Sequence, residues 1–172
     1  MINEELLERV LESKEERADF QKKLIDEYKL PLISLTLNLV GGYFQYEKWE
    51  AVLEKAVGAI ENTFSTSIIF KKTRIGKWGP EGFWIINLPI ENIKKETIKI
   101  EDSHSLGRLF DIDVIDIDGD SISRRNFGME PRRCIICNNS AVECYIKKNH
   151  SLEELKNRVD EIIQEGLVLD EK

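Results

Sequence analysis

The residues with the clearest chemical potential lie in His104 to Val114, "HSLGRLFDIDV", where Asp111 and Asp113 stand two positions apart in an apolar run. Strand side chains at i and i+2 project from one face. This spacing therefore sets the carboxylates side by side and sends Phe110, Ile112 and Val114 the other way, into a core. Adjacent carboxylates repel, and a cation between or beside them relieves that cost. Magnesium suits the role, because it prefers hard oxygen ligands and shares them with substrate phosphates. In phosphoryl or nucleotidyl transfer such an ion offsets phosphate charge and orients the leaving group. Gly107 permits close backbone approach to a phosphate, and Arg108 offers it a bidentate fork. The same pattern also describes an edge strand with one solvated face, and Asp116, Asp118 and Asp120 show that this segment tolerates acids. His104 has two readings, as a general base for an attacking hydroxyl or as a residue at a helix end.

A second cluster, "CIICNNSAVECYIKKNH", places Cys134, Cys137, Cys144 and His150 within 17 residues. C-x-x-C lets two thiolates grip one metal from a tight turn, and a third cysteine with a histidine completes a tetrahedral zinc site. The alternatives are buried thiols, with Cys144 a small apolar residue on a helix, and a redox C-x-x-C. Just ahead of the cluster, Arg124, Arg125, Arg132 and Arg133 form a local arginine excess in a chain of net charge −7. The planar guanidinium suits phosphate, so these residues fit a polyanionic ligand or an acidic partner surface. A merely solvated face is the plainer reading.

The elements that must position these groups follow from periodicity. Ser13 to Glu16 reads as a capping box opening a helix to about Lys29, which Pro31 stops. Leu32 to Val40 is a strand broken by Gly41 and Gly42, and Tyr46 to Thr63 is a helix with an apolar face. "TSIIFKK" and "FWIINLP" are strands flanking a loop, "RIGKWGPEG". Pro89 to Asp102 is read as a helix, Leu109 to Ile117 as a strand, and Ser121 to Arg125 as the extension of a hairpin. A second capping box at Ser151 to Glu154 starts a C-terminal helix that Gly166 ends. The expected fold is α+β (mixed α/β), a single domain over residues 1–172 with a central mixed sheet flanked by helices.

Several classes are disfavoured. The acidic net charge argues against non-specific nucleic-acid binding. No apolar run approaches the roughly 20 residues of a membrane helix, and the N-terminus lacks the apolar core of a signal peptide. A cytoplasmic location is expected, with the three cysteines as thiols or ligands rather than disulfides.

Four stretches together resemble one family: "EERADFQKKLIDEYKLPLISLTLN", "GPEGFW", "HSLGRLFDIDV" and "SRRNFGMEPRRCIICNNSAVECYIKKNH". They are similar to the citrate lyase holo-acyl-carrier-protein synthases, the apo-citrate lyase phosphoribosyl-dephospho-CoA transferases. The resemblance implies transfer from 2'-(5''-triphosphoribosyl)-3'-dephospho-CoA to a serine of the acyl-carrier (gamma) subunit of citrate lyase. The serine would attack the α-phosphorus and release diphosphate. Gly107, Arg108, Asp111, Asp113, Ser123, Arg124, Arg132, Arg133, Cys134, Cys137, Cys144 and His150 all stand where the family pattern puts them. Of these, Gly107, Ser123, Arg124, Arg132 and Arg133 are the expected substrate-binding set, and Asp111, Asp113, Arg108 and His104 the catalytic one. The chain departs from the pattern at "VGGYFQ", where a Pro-Gly-Pro-like turn is expected, and at Lys147, where the family tends to carry arginine. It also lacks the Gly-Ser element of general nucleotidyltransferases, so kinship with that wider fold is an analogy. Two other functions fit the residues alone. One is a zinc-stabilised module binding an acidic partner without catalysis, and the other a sugar-nucleotide glycosyltransferase using the aspartate pair.

Overall fold

A computed structural model describes residues 4–169. Five α-helices surround one four-stranded sheet. In chain order these are α1 (Glu4–Tyr28), β1 (Leu32–Leu37), α2 (Trp49–Phe64), β2 (Ile68–Ile75), β3 (Pro80–Ile86), α3 (Ile90–Ser103), β4 (Phe110–Ile115), α4 (Ala141–Lys147) and α5 (Leu152–Leu169). The strand order is β2-β3-β1-β4. The sheet was expected to be mixed, but all three pairings are antiparallel. The central strand β3 is buried throughout, whereas the edge strand β2 carries Lys71, Lys72 and Arg74, charges that discourage pairing with another chain.

Period-two alternation divides the sheet into two faces. One carries Ile33, Leu35, Trp84, Ile86, Ile112 and Val114, which join α2, α3 and α5 in the larger core. The other carries Leu32, Phe83, Ile85 and Ile115, packed against Leu24 and Ile25 of α1. Towards the N-terminus of α1 the groups facing this second side turn polar. Gln21 Nε2 donates to Ser34 Oγ at 2.9 Å, and Arg17 pairs with Glu81 at 3.2 Å. The second face is thus apolar at one end and polar at the other, and the aspartates stand at the polar end.

Four local expectations change. Helix α1 begins at Glu4, not Ser13, because no breaker interrupts "EELLERVLE". Ser13 is therefore a buried mid-helix residue rather than a cap. The segment "RIGKWGPEG" is mostly strand: β2 and β3 meet in a tight turn in which the Gly76 N–H donates to the Gly79 carbonyl at 2.7 Å. Gly166 does not end α5. It sits inside the helix against Leu106, whose Cγ would lie 2.8 Å from an added Cβ. The hairpin extension shrinks to one bridge, Ile115 to Ser121, followed by a 3-10 turn at Arg124–Phe127.

Gly107 is required by space. A Cβ there would collide with the Glu101 carbonyl oxygen and lie 2.7 Å from that of Ile100, at the end of α3. Gly107→Ala should therefore destabilise the protein by about 1–3 kcal/mol, the usual cost of overpacking. Urea denaturation measures this, and an unchanged midpoint would show that the close packing of α3 on this turn is not under constraint.

Candidate active site

Asp111 and Asp113 project from the second sheet face and reach solvent, while Phe110, Ile112 and Val114 are buried beneath them. Across the ladder Asp113 faces Ser34 and Asp111 faces Thr36, whose hydroxyl donates to Asp111 Oδ2 at 3.2 Å. At a strand rise of about 3.4 Å per residue the carboxylates are roughly 7 Å apart. Their repulsion is then about 0.6 kcal/mol in water and about 2.4 kcal/mol at an effective dielectric of 20. A single divalent cation reverses the sign of this term. Asp113, like Asp111, is exposed on the sheet face. Desolvation by the surrounding protein, and then the Asp111 charge, raise its pKa above the usual carboxylate value, against the opposing pull of Lys94.

Strand β4 is an edge strand, and several of its outward backbone groups are taken by other parts of the chain. The Ile112 N–H donates to Glu101 Oε1 at 3.0 Å, and the Phe110 carbonyl accepts from Arg132 at 2.8 Å. The Val114 carbonyl accepts from the Ile122 N–H at 2.8 Å. Glu101 is held in turn by Arg124, at 2.7 Å, and Arg124 grips Asp102 with both terminal nitrogens. Arg132 also donates to the Arg108 carbonyl at 3.2 Å and comes within 3.5 Å of Asp111 Oδ1. Arg108 donates to the Arg133 carbonyl. Desolvation and the neighbouring Arg132 charge lower its pKa.

Arg132 therefore stands beside Asp111, Arg108 lies against the Arg133 backbone, and Arg124 braces the strand edge. Ser123 makes a capping box with Asn126, its hydroxyl donating to Oδ1 at 2.7 Å. His104 lies at the end of α3, its Nδ1 accepting the Leu106 N–H at 3.0 Å and its ring 4.9 Å from that of Phe110. That is the helix-end position, the second of its two sequence readings.

The cysteine cluster closes as its spacing suggested. Cys134 Sγ, Cys137 Sγ, Cys144 Sγ and a ring nitrogen of His150 all lie within 4.8 Å of one another. Cys137 Sγ is 3.4 Å from Cys144 Sγ and 3.3 Å from His150 Nε2. Tetrahedral ligands with bonds of about 2.0–2.3 Å stand roughly 3.5–3.8 Å apart, so four donors at these separations can hold one metal ion. The Ile136 N–H points at Cys134 Sγ at 3.5 Å. Burial, the largest influence on that thiol, raises its pKa, but the Cys137 and Ile136 amides and the neighbouring thiols outweigh it and the net shift is downward. Desolvation, helped by Cys137, pushes the buried Cys144 up to about 11.

The loop that carries these thiols is tied down on both sides. The Ala141 N–H donates to the Arg132 carbonyl at 2.9 Å, the Cys134 N–H donates to Asn139, and Arg158 of α5 donates to the Ile135 carbonyl. The backbone that holds the cluster thus also aims Arg132 at Asp111.

Sequence reasoning missed Glu81, Lys94 and Glu101. Glu81 is buried between Arg17 and Arg74 at the end of the polar recess. Lys94 is buried on α3, and desolvation lowers its pKa against the attraction of Glu101 and Asp113. Lys94 and Glu101 lie seven residues apart on the face that also carries Ile93, Thr97 and Ile100. That helical spacing of charges within a buried stripe was the available signal.

Taken together, a carboxylate pair flanked by arginines, on a mixed α/β framework beside a thiol–imidazole cluster, suits an enzyme that handles phosphates. Comparison with known proteins narrows the class. A family model described as apo-citrate lyase phosphoribosyl-dephospho-CoA transferase matches residues 5–166. The chain is 34% identical over 160 residues to a Vibrio cholerae protein named probable apo-citrate lyase phosphoribosyl-dephospho-CoA transferase, an alignment covering 91% of this chain and 90% of that one. It is 33% identical over 159 residues to an Escherichia coli O1:K1 protein named apo-citrate lyase phosphoribosyl-dephospho-CoA transferase, covering 91% and 87%. This chain belongs to the apo-citrate lyase phosphoribosyl-dephospho-CoA transferase family, and it is an enzyme of the transferase class.

The raised pKa of Asp113 has a consequence for stability. A carboxyl whose folded pKa exceeds its unfolded value of about 3.9 loses stability as pH rises through that interval. Asp111, Lys94, Glu101 and Arg17 face it, and Asp111 dominates among their charges. In metal-free protein, Asp113→Asn should match wild type below about pH 4 and become the more stable form as pH rises. Urea titrations across pH measure the difference. Parallel profiles would mean that the pair is not under electrostatic stress.

Proposed function

We propose that this chain attaches the phosphoribosyl-dephospho-CoA group to a serine of the acyl-carrier (gamma) subunit of citrate lyase. The donor is 2'-(5''-triphosphoribosyl)-3'-dephospho-CoA, the reaction takes place in the cytoplasm, and diphosphate is the second product. The observation that carries this reading is the acid pair on one strand face with Arg132 3.5 Å from Asp111. Cationic and metal-holding groups meet there as displacement at a phosphate requires.

In this reading the serine oxygen bonds to the α-phosphorus as its proton passes to solvent, the bond from that phosphorus to the bridging oxygen breaks, and diphosphate leaves with those electrons. The donor set at Asp111 and Asp113 fits magnesium, being hard, paired and self-repelling. An ion held there would supply charge neutralisation for the triphosphate. Arg132 and Arg108 add fixed positive charge at the same end of β4, and Arg132 can shift its weak Asp111 contact to a phosphate oxygen. Arg124 keeps Glu101, and with it β4, in place. His104 orders the turn carrying Gly107 and Arg108. The four soft donors of the cysteine cluster fit zinc better than magnesium, and a zinc there would be structural, since all four tetrahedral positions are filled by protein.

Incubating purified protein, donor and magnesium with apo acyl-carrier subunit should add one prosthetic group to a single serine, read by intact mass and peptide mapping. Asp111→Asn and Asp113→Asn should each lower the rate by 10²-fold or more, as expected for loss of a metal-holding group, while leaving the fold intact. Full activity in both variants would remove the metal pair from the mechanism. Elemental analysis should find about one zinc per chain, and chelation strong enough to extract it should lower the thermal midpoint. Metal-free protein of unchanged stability would make the cluster a set of buried thiols.

A further inference from the structure

Asp111 borders a polar recess of ≈ 190 Å³ together with Thr36, Arg17 and Glu81. A larger groove of ≈ 760 Å³ lies beside the cysteine cluster and is lined in part by Arg108 and Arg132, but the rest of its lining has no role in the chemistry described above. Its inner wall is apolar, with Val40, Ile135, Ala141 and Leu155. Its rim carries Tyr145, Ile146 and Leu152, which are 86%, 71% and 59% exposed. One isolated exposed apolar side chain needs no explanation, but three converging on one groove indicate a surface that is covered when occupied.

The charges indicate what covers it. Arg108, Arg133 and Lys148 line the same groove, and among the described residues no carboxylate does. Apolar walls with a few convergent cations suit a ligand that is part phosphate and part apolar, and the volume lies within the range of nucleotide-sized sites. The groove also adjoins the reaction centre. Asn38 lines both spaces, and Arg132 lines the groove while reaching Asp111.

We propose that this groove holds the dephospho-CoA portion of the donor. Its internal diphosphate lies against Arg108, Arg133 and Lys148, and its apolar arm lies along Tyr145 and Ile146. The triphosphate end reaches past Asn38 to Asp111 and Asp113. Cys134, Cys144 and His150 are part of the groove wall, so the cluster shapes the binding surface as well as the fold. This assignment rests on the transferase reading for the identity of the ligand.

Isothermal titration of the full-length, metal-loaded protein with dephospho-CoA tests the groove separately from the reaction, because that probe carries no triphosphate and cannot be transferred. Saturable binding is expected. Ile146→Glu, a change at an exposed position, should weaken it at least tenfold and raise the KM for donor in similar proportion. Tyr145→Ala should act in the same direction, and Asp113→Asn should leave dephospho-CoA affinity unchanged. Absence of binding to wild type, or equal affinity in Ile146→Glu, overturns the assignment. A protein that binds dephospho-CoA in this pattern but modifies no carrier subunit upholds the groove and overturns the proposed reaction instead.

Discussion

The structure depends on an edge strand that must expose two carboxylates on one face without leaving its outer backbone unpaired. Unpaired polar groups at a sheet edge are costly if buried and invite pairing with another chain if open. In β4 three of the outward groups are met by Glu101, Arg132 and the Ile122 N–H. Each comes from a different part of the chain, so satisfying one strand edge fixes α3, the cysteine loop and the segment after β4 relative to the acid pair. Breaking a buried ion pair such as Arg124 to Glu101 leaves an uncompensated charge, typically costing about 3–5 kcal/mol. The brace is therefore rigid enough to hold a site.

The chemistry is divided by ligand type. Hard oxygens sit on the sheet face, and soft sulfur and imidazole donors sit in the loop. The two sets share one connection, Arg132, whose backbone is paired to the start of α4 and whose guanidinium spans from the Phe110 carbonyl to Asp111. A metal in the cysteine cluster would thus act on catalysis through geometry. It would keep the arginine fork aimed while taking no part in bond making.

How much of this was legible in the sequence follows from the range of each signal. Alternation from Phe110 to Val114 placed both aspartates on one face, and C-x-x-C with a third cysteine and a histidine announced a cluster, because these are local patterns. The edge-strand reading and the metal-pair reading of Asp111 and Asp113 turn out to share one geometry, since β4 is an edge strand with an open acidic face. Roles set by distant partners were not legible. Glu101 meets Ile112, and Arg124 meets Glu101, only after the chain has folded. The close packing of Gly107 on α3 was likewise invisible, because the Glu101 and Ile100 carbonyls meet it only in the folded chain. Ser13 showed a capping pattern inside a helix that nothing upstream interrupts.

In the proposed reaction Asp111 and Asp113 together hold a divalent cation against the donor's phosphates. Electron paramagnetic resonance of protein loaded with manganese(II) in place of magnesium, in the presence of donor, measures this directly. Phosphorus hyperfine coupling to the bound manganese is expected in wild type, with its loss in Asp113→Asn. The same coupling in the variant, or a bound manganese with no phosphorus nearby in wild type, would contradict it.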